Sequence, residues 1–163
     1  PYRGVKLTRS GRRVALEVIR HHRLLELYLS EVLGYSWDKV HEEADRLEHV
    51  ISEEFEARID EILGYPEIDP HGEPIPSKDG CIPPQKWSSL WDVPTGSRVV
   101  VRSVSDRNPE VLRYLAELSL YPERELHVTG RDPFDGPIHI EMDGNRHSLS
   151  EMLARQIRVE IRH

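Results

Sequence analysis

The sequence predicts an α+β chain in two parts, a helical half followed by a small β-barrel. Three observations predict it. Apolar residues recur at helical spacing through the first part, a proline-rich stretch interrupts the chain, and short β-branched runs between turn residues fill the remainder.

The first helix follows LTRS, where Thr8 or Ser10 can cap the amino end. Ala15, Val18, Ile19, Leu25 and Leu29, then Val32 and Leu33, keep helical spacing, and Gly34 closes the run. A second helix is expected from Ser36, with Val40, Ala44, Leu47 and Ile51 as its apolar side. Ser52 followed by Glu53 and Glu54 reads as a fresh cap with carboxylates in the first turn. The acidic tract is therefore two helices broken at Ser52, the second carrying Phe55, Ile59, Ile62 and Leu63 to a stop at Gly64.

YPEIDPHGEPIPSKDGCIPPQ precludes a regular element through its prolines and glycines, so it is a linker or an ordered loop at a domain junction. The expected division is a helical domain over 1–65, a proline-rich segment over 66–86 and a barrel domain over 87–163. In the last part RVVVRSV (Arg98 to Val104), ELHVTG, PIHIEM and QIRVEIR read as strands. PEVLRYLAELSL (Pro109 to Leu120) is a helix with proline at a permitted first position. Trp87 and Trp91 are expected to pack at the barrel entrance.

At 163 residues the chain can hold one ordinary domain or two small ones. Its net charge of −7 argues against wrapping a phosphate backbone, which needs clustered Lys and Arg. A single cysteine, Cys81, precludes an intramolecular disulfide and fits a reducing, cytoplasmic setting; it has no identifiable base partner for nucleophilic work. No apolar run approaches the ~20 residues that span a bilayer, so no membrane association is expected.

The residues that carry chemistry lie in KVHEEADRLEHV. His41, Asp45, Glu48 and His49 stand at i, i+4, i+7 and i+8, one stripe of a continuous helix. The preceding helix carries His22 and Glu26, again four apart, and an antiparallel partner brings that pair alongside. Mixed histidines and carboxylates suit Mn²⁺, Fe²⁺, Co²⁺, Zn²⁺ or Ni²⁺, and the lack of thiolates weighs against a structural zinc site. His41 and His49 are ~12 Å apart along a helix, so two neighbouring sites are more natural than one. His21, about 100° round from His22, is expected to be solvated. Spacing alone leaves the stripe open between a ligand set and a solvated face. A helical metallo-enzyme is the competing class, but no base, nucleophile or substrate pocket is identifiable.

PYRGVKLTRSGR, HRLLELYLSEVLG, KVHEEADRLEHVIS and HGEPIP occur in an order that resembles the diphtheria toxin repressor and manganese transport regulator family of metal-dependent transcription repressors. The resemblance covers essentially the whole chain. It implies a helical dimerisation and metal-binding domain followed by an SH3-like barrel, in a homodimer that represses genes of metal homeostasis. It also implies that PYRG is the exit from the wing of a winged helix-turn-helix, so that operator DNA is read by an N-terminal domain not in this sequence. Carried over residue by residue, His22, Glu26 and His41 match the ancillary metal site of iron-type members. Glu48 and His49 match ligands of the primary, activating site. Asp45 stands where iron-type members have Cys and manganese-type members have Glu. A hard carboxylate there favours Mn²⁺, with Fe²⁺ next. The apolar sides of Val40–Ile51 and Phe55–Leu63 are the expected dimer surface.

Overall fold

The computed structural model describes residues 6–162; the PYRG segment lies outside them. Helix α1 runs from Arg9 to Glu31, and Thr8 caps it by accepting the Gly11 amide at 3.0 Å. Its end is closed by Gly34 at φ 71°, a left-handed conformation that only glycine adopts without strain. Helix α2 spans Val40–Leu47 and α3 spans Glu53–Ile62, the latter capped by Ser52, whose hydroxyl accepts the Phe55 amide. Ser52 caps α3 as expected, but α2 runs only from Val40 to Leu47, after turns, where a helix from Ser36 through Ile51 was expected.

The core of this helical part packs Leu24, Leu25, Leu27 and Leu29 of α1 against Val40 and Ala44 of α2, Ile59 of α3 and Ile75 beyond it. Each buried Leu or Ile here stabilises the fold by about 2 kcal/mol. Val40 and Ala44 of α2 and Ile59 of α3 are buried in this core, so those three positions of the expected dimer surface pack within the chain. The apolar side chains left exposed on this part include Val32, Leu33, Val50, Phe55 and Ile62.

The chain divides into two compact units, one of Pro1–Pro70 and Pro74–Pro83, the other of His71–Glu73 and Pro84–His163. Within the first unit the proline-rich segment is an ordered loop. Arg20 Nη1 donates to the Pro76 carbonyl at 2.8 Å, Arg23 donates to that of Pro74, and the Ile75 amide donates to Glu67 at 2.8 Å. Prolines supply carbonyls but no amides, so they suit a loop that receives arginine donors.

The second unit is a six-stranded antiparallel sheet in the order β1-β6-β2-β3-β4-β5. The strands are β1 (Ser88–Ser89), β2 (Arg98–Val104), β3 (Glu125–Arg131), β4 (Ile138–Met142), β5 (Asn145–Leu149) and β6 (Ile157–Arg162). Helices α4 (Pro109–Glu117) and α5 (Glu151–Arg155) complete it, with proline in the first turn of α4 and Asn108 as its cap. Ile138, Ile140 and Met142 alternate inward on β4, and β2 buries nearly every residue. Bulges between Val101 and Ser103 and between Val128 and Gly130 bend the sheet into the curvature of an SH3-like fold. Trp91 is buried, with the Arg131 guanidinium 4.0 Å above its ring. Gly72 fits only as glycine, because a Cβ there would lie 1.9 Å from the Arg102 carbonyl oxygen. Among the described residues no helix is long and apolar enough to cross a membrane.

Candidate metal centre

Helices α1 and α2 pack so that the His22–Glu26 turn faces the first turn of α2. Residues four apart on α1 lie over one another, so His22 Nε2 and Glu26 Oε1 stand 3.0 Å apart. His41 on α2 brings its Nδ1 to 3.0 Å from His22 Nε2 and 3.2 Å from Glu26 Oε1. The two rings meet edge to face, with centroids 4.8 Å apart. Glu26 is fully buried, His22 and His41 partly so.

On the opposite side of the same ring, His22 Nδ1 lies 2.7 Å from Glu48 Oε2 and 3.3 Å from Asp45 Oδ1. His41 Nε2 is 3.7 Å from Asp45 Oδ2. One donor atom from each of His22, Asp45 and Glu48 falls within 4.8 Å of the others. Two groups of ligand-type side chains therefore meet at one imidazole, Glu26 and His41 on one side and Asp45 and Glu48 on the other.

Each nitrogen of His22 faces a carboxylate, so in the metal-free state the ring holds both protons. Burial by itself lowers its pKa, but the hydrogen bonds and charges of Glu26 and Glu48 outweigh it and raise the pKa from 6.5 to about 9.

The helical stripe expected of His41, Asp45, Glu48 and His49 is only partly realised. Helix α2 ends at Leu47 and Glu48 is its cap residue, with Val50 and Ile51 amides both turning back to the Leu47 carbonyl. That tightening carries His49 off the stripe. Its ring is largely exposed and touches Glu48 Oε1 at 3.1 Å. His21 departs further from expectation: it is buried, not solvated. Its Nδ1 lies 3.1 Å from the Glu48 carbonyl oxygen and its Nε2 3.1 Å from Glu56 Oε2. Glu56 in turn accepts from Arg20 Nε at 2.6 Å, while Arg20 Nη2 reaches Asp60 Oδ2 at 2.6 Å. The sequence signal for this network was Glu56 and Asp60 standing four apart on α3, a spacing shared with many solvated faces.

The donor chemistry fits a divalent transition ion. Two donors about 2.1 Å from one ion and at right angles are about 3.0 Å apart. The triangle of His22 Nε2, Glu26 Oε1 and His41 Nδ1 has edges of 3.0, 3.0 and 3.2 Å, the dimensions of one face of such a coordination sphere. A neutral imidazole has one lone pair, so His22 can serve one of its two groups at a time. If it joins Glu26 and His41, then Asp45 and Glu48 are left with neighbouring His49.

Comparison with known proteins places these features among relatives. Residues 8–77 match the family described as the iron dependent repressor, metal binding and dimerisation domain, and residues 89–161 match the FeoA domain. The iron-dependent repressor IdeR of Mycobacterium leprae is 33% identical over 171 residues, which span 97% of this chain and 74% of that protein. The diphtheria toxin repressor of Corynebacterium diphtheriae is 30% identical over 168 residues, spanning 97% of this chain and 73% of its own. A solved structure of a manganese-dependent transcriptional repressor in complex with manganese superposes with a TM-score of 0.94 at 43% identity. It covers 97% of this chain and 76% of the solved one.

Proposed function

This chain belongs to the diphtheria toxin repressor and manganese transport regulator family of metal-dependent transcription repressors, and from that premise we propose that its helical unit is the Mn²⁺-sensing part of such a repressor, with Fe²⁺ the next best fit. The single observation that carries the reading is the triangle of His22, Glu26 and His41 donors at the spacing of one face of a coordination sphere. We assign these three to one site and Asp45, Glu48 and His49 to a second, completed by ligands from outside this segment. Carboxylates and imidazoles without a thiolate favour Mn²⁺ over softer ions. When bound, a divalent ion would supply positive charge beside the buried Glu26 carboxylate in place of one of the two His22 protons.

The response is a shift of population. Metal must bind one arrangement of the repressor more tightly than another, because equal affinity for both changes nothing. His22, Glu26 and His41 fix α1 against α2, and Asp45, Glu48 and His49 present the surface to which the DNA-reading domain is locked. We read the protein as a cytoplasmic homodimer that meets operator DNA through a winged helix-turn-helix outside this segment. The dimer spaces two reading heads for a palindromic site. It is a regulator and not an enzyme, in keeping with the repressors named above.

Calorimetric titration of Mn²⁺ tests this. The wild-type protein binds, and the His22→Ala/His41→Ala double variant loses that binding. Silence from the wild type, or undiminished binding by the double variant, ends the metal-sensor account.

A further inference from the structure

We infer that His21, which stands about 100° round α1 from the ligand-type His22, is a positioning residue that holds Glu48 in place for the metal centre; this rests on the metal-sensing reading above. A buried polar side chain has to satisfy its hydrogen bonds inside the protein, and those of His21 run to specific places. Its Nδ1–H donates to the carbonyl of Glu48 at 3.1 Å, and its Nε2 meets Glu56 at 3.1 Å.

The Glu48 carbonyl is among the terminal carbonyls of α2 that have no amide partner within the helix. The other bonds of this turn are short-range, from Glu48 N to Ala44 and from Val50 N and Ile51 N to Leu47. They fix the shape of the turn but not its place relative to α1. His21 ties the main chain of the turn to α1, beside the packing of Leu47 and Ile51 on the helical core. Glu56 is immobilised by Arg20 Nε at 2.6 Å, and Arg20 is itself held by Asp60 and by the Pro76 carbonyl. Consecutive residues of α1 thus grip one residue of the turn, His21 by its main chain and His22 by its carboxylate at 2.7 Å. The main-chain bond sets where the Glu48 side chain begins, so it sets where its carboxylate can reach.

Two conservative variants separate positioning from general packing. In His21→Asn the side-chain amide nitrogen replaces Nδ1 and keeps the bond to the Glu48 carbonyl. In His21→Gln the amide reaches the place of Nε2 and keeps only the Glu56 bond. Mn²⁺ affinity is measured by competition against a fluorescent chelator, with Mn²⁺ electron paramagnetic resonance reporting the ligand sphere and thermal unfolding of the metal-free proteins as a control. Partners of this kind typically change metal affinity by about 10- to 100-fold when removed. We expect His21→Gln to weaken binding by about that factor and to alter the resonance line shape, and His21→Asn to stay within about threefold of wild type. Equal behaviour of the two variants, whether both bind normally or both weaken alike, overturns the positioning role while leaving metal sensing intact. Failure of the wild type to bind overturns both.

Discussion

The pH dependence of metal binding is the sharpest consequence of the His22 geometry. His22 is held as an imidazolium between Glu26 and Glu48, with its pKa raised from 6.5 to about 9. An ion needs the lone pair that this proton occupies, so binding releases about one proton per ion. With a pKa of about 9, about 1% of the protein is deprotonated at His22 at pH 7. Apparent Mn²⁺ affinity should therefore rise about tenfold per pH unit from about pH 6.5 to about pH 8.5, and then level off. Titration calorimetry in buffers of different ionisation enthalpy reads the proton count directly. The metal-free protein moves the other way. A raised histidine pKa contributes stability that is fully present below 6.5 and is lost as pH rises through about 9. That contribution is at most about 3 kcal/mol, reduced to ~1–2 kcal/mol by solvent on the Asp45 side. The metal-induced gain in Tm should thus widen with pH. Affinity that stays flat over this range, with no proton released, would refute the bridging imidazolium.

Other consequences can be checked separately. Arg20→Met leaves Glu56 and Asp60 buried without their guanidinium and should cost about 3–5 kcal/mol in denaturant unfolding; a change below about 1 kcal/mol would mean the network is solvated. Asp45→Cys places a soft donor in the second group, and competition titrations should show preference moving from Mn²⁺ toward Zn²⁺ by about tenfold or more. Trp91→Ala removes a buried ring and its contact with the Arg131 guanidinium, and should destabilise the barrel by about 3–5 kcal/mol with little effect on Mn²⁺ affinity. Ser52→Ala removes the α3 cap and should lower stability by about 1 kcal/mol, read from the same unfolding curves.

Elements were legible in the sequence where local chemistry sets them. The Thr8 and Ser52 caps, Gly34 at the end of the first helix and proline opening α4 all act within a few residues of themselves. Strand β5 and helix α5 were not legible, because NRHSL has neither a β-branched run nor clear alternation and EMLAR is barely more than one turn. The start of α2 was misplaced for a related reason: Ser36 is a good cap by type, but the chain makes turns before Val40 commits to the core.

The sequence by itself determined which side chains could hold a metal. His22 and Glu26 are four apart, His41 and Asp45 are four apart, and helical periodicity suffices to align each pair. Only the tertiary structure decided how the pairs share a centre. Docking α1 on α2 put one imidazole between two carboxylate groups, and ending α2 at Leu47 turned His49 outward. The same docking buried His21, which local spacing had assigned to solvent, and gave it the Glu48 carbonyl. Spacing fixes angles around one helix; distances between helices come from which apolar faces pack, and those long-range contacts are not written at any single position.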